Sequence, residues 1–551
     1  MPSLPVSCPT RRFRLASLAL PCLLAALGGI GAAGRATAQE IMRPGAPAAS
    51  RDTSVRAVGD SLGRRDSVRA APEKPPVVTH HAMTVNGESI RYTATTGRMP
   101  IRNERTGVTE GQIFYVYYSR DGANAATRPL TFVFNGGPGS STVWLHMGAY
   151  GPKRVRLNPD GTNPPPPYAY EDNPHTLLTQ TDLVFLDPVG TGYSRAARPE
   201  LGQNFWGLDE DVHSVGEFIR LFLVTHRRWG SPKFVSGESY GTTRASHLSG
   251  WLADNGIALN GVVLLSAVLN FQASRQAHGN DLGWIGYFPT YVATAWYHKK
   301  LPADLQAQPL EDVLHQAERW TDNQYLQVLH AGVRLPEAER QEAVQQMARF
   351  SGLSRSFVED NDLRVTLPRF DHELLRDRRL VVGRLDGRFT AFSQDPGAER
   401  GAFDPSDASI RNSFTPVLND YVRRELGYQS DDIYYILGGG IGTWRYPTTQ
   451  GYPDVTSGLE RAFAKNPDMR LFVAMGYYDA ATPYWAVEYT LNHLNISPSM
   501  RQNISTDHFA AGHMMYIDEP SMTKLRADLS RFFTDAVKPV GAGAAQEGVT
   551  R

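Results

Sequence analysis

Lys233 to Trp251 reads KFVSGESYGTTRASHLSGW, and this stretch constrains the fold more tightly than any other. The apolar pair Phe234-Val235 enters Gly237-Glu238-Ser239-Tyr240-Gly241, with small residues flanking Ser239 where a strand must turn sharply into a helix. A corner of that kind is strained and lifts the serine hydroxyl clear of the sheet. Ala245, Leu248, Trp251 and Leu252 then recur at helical spacing, and Asn255-Gly256 supplies a stop. An ordinary strand-turn-helix joint with a surface serine would produce the same five letters, so the surrounding chain has to decide. Leu130 to Phe134, Asp182 to Asp187 and Val262 to Leu269 are apolar runs of strand length, and Leu208 to Arg228 has the period of a helix. Apolar strands alternating with helices predict a largely parallel α/β sheet covered on both faces.

At the N-terminus, Arg11, Arg12 and Arg14 precede an apolar stretch from Leu15 to Ala33, followed by the small-residue site Ala36-Thr37-Ala38. This is the pattern of a secretory signal peptide over residues 1–38, and it predicts a secreted or periplasmic protein. The residues after Arg11-Arg12 match a twin-arginine signal poorly, so ordinary secretion is the expectation. Both cysteines, Cys8 and Cys22, fall in this segment, which leaves the mature chain without disulfides, a thiolate nucleophile or a cysteine-ligated metal. The full chain carries 56 basic and 56 acidic residues; removal of Arg11, Arg12, Arg14 and Arg35 leaves 52 against 56, a net of −4. That balance offers no footprint for nucleic acid, and no later apolar run is long enough for a membrane anchor. Residues 39–75 are rich in Ala, Arg, Pro, Ser and Asp without apolar period and are expected to be a disordered leader.

From Val77 the chain changes to alternating runs, Ile90 to Thr96 after Asn86-Gly87 and Gln112 to Tyr118 before Asp121-Gly122, which read as antiparallel edge strands. The Leu130 strand runs into Asn135 to Ser141, NGGPGSS. Three glycines in five residues let backbone N–H groups approach a ligand closely, as an oxyanion hole or a phosphate cradle requires; the absence of a Gly-Lys-Ser/Thr sequence removes the phosphate option. After Asn270 the composition shifts towards aromatics, charges and helical period, including Leu310 to Leu329 and Glu337 to Phe350, with a hairpin signal at Asp386-Gly387. Roughly 200 residues separate the Val262 strand from the next good strand, Arg470 to Tyr478, which is too long for a loop. The expected organisation is therefore a core over residues 76–270 and 431–538, an inserted cap domain over 271–430, and a flexible tail over 539–551.

The Arg470 strand ends on Asp479, where a carboxylate could orient a histidine or cap the helix that begins near Thr482-Pro483. Three histidines come after it. His493 lies in a helical pattern, His508 is expected on an exposed loop, and His513 sits in a small-residue loop before the last helix, Ser521 to Phe533. His513 is the one placed to reach back to a serine as general base, and the order Ser239, Asp479, His513 is one in which such triads occur. No His-Glu-x-x-His is present, His80-His81 lacks an acidic partner, and the Gly438 to Gly442 run lacks dinucleotide spacing and reads as a loop; no metal and no cofactor is expected.

Taken together, these stretches resemble serine carboxypeptidases of the S10 peptidase family, which have the α/β-hydrolase fold. NGGPGSS at Asn135, FLDPVGTGYS from Phe185 to Ser194, GESYG at Gly237 and AGHM from Ala511 to Met514 carry the resemblance, with Asp479 in YDAATP between them. It implies a mostly parallel central sheet flanked by helices, with a large, mainly helical cap insertion. It also implies Ser239 as nucleophile, His513 as general base and Asp479 as its partner, with backbone N–H groups of Gly137 and Tyr240 as the oxyanion hole. Asn135, Gly136 and Glu238 would recognise the C-terminal carboxylate of a peptide substrate, which a carboxyl group can do as a donor only while protonated, so cleavage is expected to favour acidic pH. Val133 stands where many members have a Trp, Ala149 where a second Glu is common, and Ser140 where a bridged Cys is common. The first two remove partners from carboxylate recognition, which leaves an esterase or acyltransferase on the same triad as the nearest alternative. An inactive binding module of the same fold is the alternative of another class.

Overall fold

The computed structural model describes residues 74–448 and 451–537, all within one compact unit, Val68–Arg551. The predicted signal peptide, nearly all of the predicted leader and the predicted tail lie outside the described residues. Two antiparallel hairpin strands, β1 (Val77–Val85) and β2 (Glu88–Arg102), open the chain. Asn86 and Gly87 both take positive φ at their turn, 51° and 83°, the geometry that makes Asn-Gly a hairpin corner. β3 (Thr109–Arg120) extends this antiparallel edge.

The rest of the main sheet is parallel. β4 (Leu130–Phe134), β5 (Asp182–Asp187), β6 (Lys233–Ser239), β7 (Gly261–Ala267), β10 (Arg470–Gly476) and β11 (Ile504–Phe509) run across it, and the two-residue strand Arg195–Ala196 pairs antiparallel with β3 beside this path; β8 (Leu380–Val382) and β9 (Thr390–Phe392) form a separate hairpin. The path across the sheet is β1-β2-β3-β5-β4-β6-β7-β10-β11. β4, β5 and β7 are buried at every residue, which is why they read as mainly apolar runs. Helices α1 (Leu208–Thr225) and α2 (Tyr240–Asp254) connect the strands, and α1 opens on Asp209, Glu210 and Asp211, charges that suit the positive end of its dipole. The exchange of β4 and β5 relative to chain order, with helices joining parallel strands, is the arrangement of the α/β-hydrolase fold, and it puts the ends of β4, β6, β7, β10 and β11 along one edge. In open α/β sheets ligands bind at that edge.

Between β7 and β10 the chain is mainly helical: α3 (Leu282–Tyr297), α4 (Leu310–Trp320), α5 (Glu337–Ser351) and α6 (Pro405–Arg424) are its longer helices. The helical period read over Leu310 to Leu329 is borne out: α4 continues through a π turn at Thr321–Tyr325, where Thr321 Oγ1 donates to the Ala317 carbonyl, into a helix over Leu326–Ala331. Gly438 to Gly442 is indeed a loop, laid against the Asn135 loop by Gly438 N–H donating to Gly139 O at 2.9 Å. The closing segments are α7 (Thr456–Lys465), α8 (Tyr484–Asn492) and α9 (Glu519–Ala536). No described helix is long and apolar enough to cross a membrane.

Candidate active site

Ser239 ends β6 and precedes α2 with φ 59° and ψ −133°, a backbone state that stores on the order of 1–3 kcal/mol of strain for a residue with a side chain. The residues two before and two after it must be glycine. A Cβ at Gly237 would lie 2.2 Å from the Gly241 carbonyl oxygen, and one at Gly241 would lie 2.9 Å from that of Phe134. The Asn135 loop rests directly on this elbow, since a Cβ at Gly136 would be 2.3 Å from the Tyr240 nitrogen. Gly137 and Tyr240 both line the cleft with Ser239. Tyr240 is the first residue of α2, where a backbone N–H has no partner within the helix and is available to an oxyanion. Buried Arg244 braces the arrangement, donating from Nη1 to the Asn135 carbonyl and from Nε to Asp211, each at 2.7 Å.

Asp479 and His513 arrive from the ends of β10 and β11. Asp479 Oδ2 lies 2.8 Å from His513 Nδ1, and both side chains are buried. Asp479 does not cap the following helix, which starts at Tyr484 with Pro483 at its N-cap and no side-chain cap; Oδ1 accepts from the N–H groups of Ala481 and Thr482 in the turn before it, at 2.8 and 3.0 Å, while Oδ2 faces the histidine and also accepts from Thr482 Oγ1. Burial alone would depress the His513 pKa; the Asp479 charge and hydrogen bond, with the Glu238 charge, outweigh it and hold the imidazole above its ordinary value. Ser239 and His513 line the same cleft without a hydrogen bond between them. Ser266, at φ 51°, donates its hydroxyl to the His513 carbonyl at 2.7 Å.

Beside Ser239, Glu238 is 3% exposed. Desolvation pushes its pKa up to about 7, against the opposing effects of His513 and of the Tyr516 hydroxyl, which donates to Oε2 at 2.5 Å. Asn135 takes a backbone N–H from Leu145 on its oxygen, and its buried Nδ2 has no partner. Val133 and Ala149 are fully buried apolar residues. Tyr516, invisible as a site residue in sequence, is the group that partners Glu238.

The cleft holding these groups has a volume of about 360 Å³, and Trp144, Tyr287, Arg275, Arg384, Ile410 and Leu437 complete its wall. Among the described residues no group of three or more His, Cys, Asp or Glu side chains is set to hold a metal ion. His508 is not on a loop: it lies on β11, half-buried, with its ring stacked on Tyr477 at 5.2 Å. The sequence of β11, ISTDHF, is polar enough to pass for a loop, and pairing with β10 makes it a strand.

The sequence profile of the serine carboxypeptidases matches residues 103–518, about three quarters of the chain. Among curated relatives, serine carboxypeptidase-like 19 of Arabidopsis thaliana is 28% identical over 153 residues, 26% of this chain and 31% of that protein. The pheromone-processing carboxypeptidase KEX1 of Saccharomyces cerevisiae is 28% identical over 155 residues, 26% of this chain and 20% of its own length. The chain thus aligns with a third or less of these relatives. Among solved structures, a proline iminopeptidase from Mycobacterium smegmatis superposes with a TM-score of 0.33 at 14% identity, over 80% of this chain and 98% of that one. With a profile match that runs from β3 to the N-terminal cap of α9 and takes in the Asn135 loop, the Ser239 elbow, Asp479 and His513, the chain belongs to the serine carboxypeptidase family.

Proposed function

We propose that the protein is a serine-type carboxypeptidase that releases C-terminal amino acids from peptides. Ser239 Oγ attacks the carbonyl of the last peptide bond as its proton passes to His513 Nε2, and Asp479 stabilises the imidazolium that forms. The N–H groups of Gly137 and Tyr240 receive the developing oxyanion. The departing amino acid takes the proton from His513, and water, deprotonated by the same histidine, hydrolyses the acyl-enzyme. Asn135, Gly136 and Glu238 hold the substrate's terminal carboxylate. The observation that carries this reading is the buried Glu238, its pKa near 7, adjoining the elbow serine in one cleft with the Asp479–His513 pair. A neutral carboxyl there donates to a carboxylate and an ionised one repels it, so peptide cleavage is favoured at acidic pH.

Residues 271–430 act in this reading as a cap over a core formed by 76–270 and 431–538, which the run of helices between β7 and β10 supports. The arginine-led apolar segment at the N-terminus supports export to the periplasm or the exterior. A second reading, an esterase or acyltransferase on the same triad, draws on Val133 and Ala149, which bring no hydrogen bond to the carboxylate subsite. The deciding experiment compares a blocked dipeptide with a free C-terminus and its amide from about pH 4 to about pH 8. Preference for the free acid that fades as pH rises supports the carboxypeptidase; equal cleavage of the amide, or turnover of esters alone, moves the assignment to the second reading. Failure of a fluorophosphonate to label Ser239 in the folded protein would reduce the chain to a binding module.

A further inference from the structure

The hairpin that Asp386-Gly387 announces reaches into the catalytic machinery. Its turn, between β8 and β9, is strapped to both loops that carry the acid and the base. The Arg384 carbonyl accepts from Ala480 N–H at 3.1 Å, one residue after Asp479, and Gly387 N–H donates to the Tyr478 carbonyl at 2.9 Å, one residue before it. On the other side the Leu385 carbonyl accepts from His513 N–H at 2.6 Å, and Asp386 Oδ2 accepts from Gly512 N–H at 3.0 Å.

Arg388 fixes the strap. Its guanidinium pairs with Asp386 at 2.7 Å, and Nη1 donates to the Ala510 carbonyl and to Asp518, each at 3.0 Å. Asp518 in turn caps α9, accepting from Ser521 N–H. The approach is so close that a Cβ at Gly512 would fall 2.4 Å from the Asp386 Cβ. Asp386 is 4% exposed, and the Arg388 side chain is 11% exposed. The other side of the turn is held as well: Leu385 N–H donates to Ser406 Oγ at 3.0 Å, and His298 Nε2 lies 2.7 Å from the Gly387 carbonyl.

We propose that Asp386 and Arg388 are positioning residues for the Asp479–His513 pair. The proposal rests on the catalytic reading of the Ser239 cleft. Neither side chain touches the reacting atoms; both act by fixing the loop that carries His513 relative to the loop that carries Asp479. The imidazole is therefore aligned by a segment from the helical insertion and not by the sheet alone. Displacement of a catalytic group by as little as about 1 Å can lower a rate by about a hundredfold.

The test uses the full chain with Asp386→Asn and, separately, Arg388→Lys, measured for kcat, KM, thermal midpoint and the low-field proton resonance of His513 Nδ1. The expected result is a fall in kcat on the order of a hundredfold with KM changed less than about threefold, and a shifted or broadened Nδ1 resonance. Tyr117→Phe, which removes the hydroxyl that accepts from buried Arg228 Nη1 at 2.8 Å at the opposite end of the sheet, serves as a control that loses stability without these effects. If either strap variant folds with kcat and the His513 resonance unchanged, the proposal is overturned, even when its midpoint drops. Should Asp386→Asn not fold, Arg388→Lys carries the same readouts, since a lysine cannot span Asp386, Ala510 and Asp518 together. Ser239→Ala and His513→Ala test the underlying reading separately: if they retain activity, that reading fails whatever the strap does.

Discussion

At Glu238 the chain buries a carboxyl group between two demands. Desolvation raises its pKa from 4.5 to about 7, so the group is neutral below that pH and ionised above it. In the proposed mechanism His513, whose pKa is raised, must be neutral to accept the serine proton, so activity is expected to be lost at low pH as the imidazole takes a proton. The two groups also feel each other, because the ionised Glu238 is one cause of the raised His513 value. For a substrate with a free C-terminus, kcat/KM is therefore expected to fall above about pH 7, approaching tenfold per pH unit as a single ionisation dictates. Glu238→Gln keeps a donor at every pH and removes that charge. It should abolish the alkaline fall and leave the acidic limb nearly where it is, because Glu238 is already neutral below about pH 7. An alkaline limb that survives in Glu238→Gln would assign the fall to another group. Stability follows the same proton: a carboxyl whose folded pKa is raised favours the fold below its unfolded value and loses that contribution as pH rises towards about 7. The thermal midpoint of the wild type should accordingly drop relative to Glu238→Gln between about pH 5 and about pH 8.

Among the elements, the Asn135 loop and the Ser239 elbow act as one unit because backbone meets backbone without side chains between. Gly136→Ala would place a methyl group 2.3 Å from the Tyr240 nitrogen and 2.5 Å from that of Gly241, so the loop must lift away from the helix start. The expected outcome is a loss of kcat on the order of 10²–10³, the scale of losing one oxyanion donor, with the fold retained. Gly230→Ala, where the nearest atom is 3.6 Å away, is the matched substitution that should change nothing; equal activity in both variants would remove Gly136 from the site. This unit was legible in the sequence because its demands are local: β4 is almost wholly apolar, Phe234-Val235 leads β6 into the elbow, and the glycines mark where chain must touch chain. Asp479 and His513 were legible for the same reason, each standing at the end of a strand or within a small-residue loop. Other parts left no local trace. β11 reads as polar because it lies at the end of the sheet path, next to β10 alone. The π turn after Trp320 follows no proline or glycine. Tyr516 reaches Glu238 across 278 residues, and the Asp386 carboxylate reaches Gly512 across 126, contacts that only the folded topology creates.

Over the whole molecule, chemistry and anchoring are divided between the two ends of the parallel strands. The C-terminal ends carry Asn135, Ser239, Asp479 and His513, while a buried ionic knot ties the N-terminal ends together. Arg228, 1% exposed, donates to Asp182 at 2.6 Å, to Tyr117 Oη at 2.8 Å, to Ser231 Oγ at 2.7 Å and to the Arg128 carbonyl at 2.9 Å. Asp182, 2% exposed, takes a second cation from Arg128 at 2.6 Å and the backbone N–H of Arg120 at 3.1 Å. One guanidinium thereby joins β3, the residue preceding β4 by two positions, the start of β5 and the turn after α1. Arg228→Met removes the hydrogen bonds to Asp182, Tyr117, Ser231 and the Arg128 carbonyl and leaves a buried carboxylate with one cation, a change expected to destabilise the fold by about 3 kcal/mol. Because the knot lies at the end of the sheet away from the serine, kcat/KM of the folded variant should stay within about twofold of wild type. Adding Asp182→Asn removes the stranded charge and should recover part of the loss, since a buried pair contributes less than the penalty for breaking it from one side. Thermal unfolding and active-site titration of the two variants check both halves. A fall in kcat/KM that tracks the fall in midpoint would mean that the two ends of the sheet are coupled and that the strands do not shield the site from strain at their far ends.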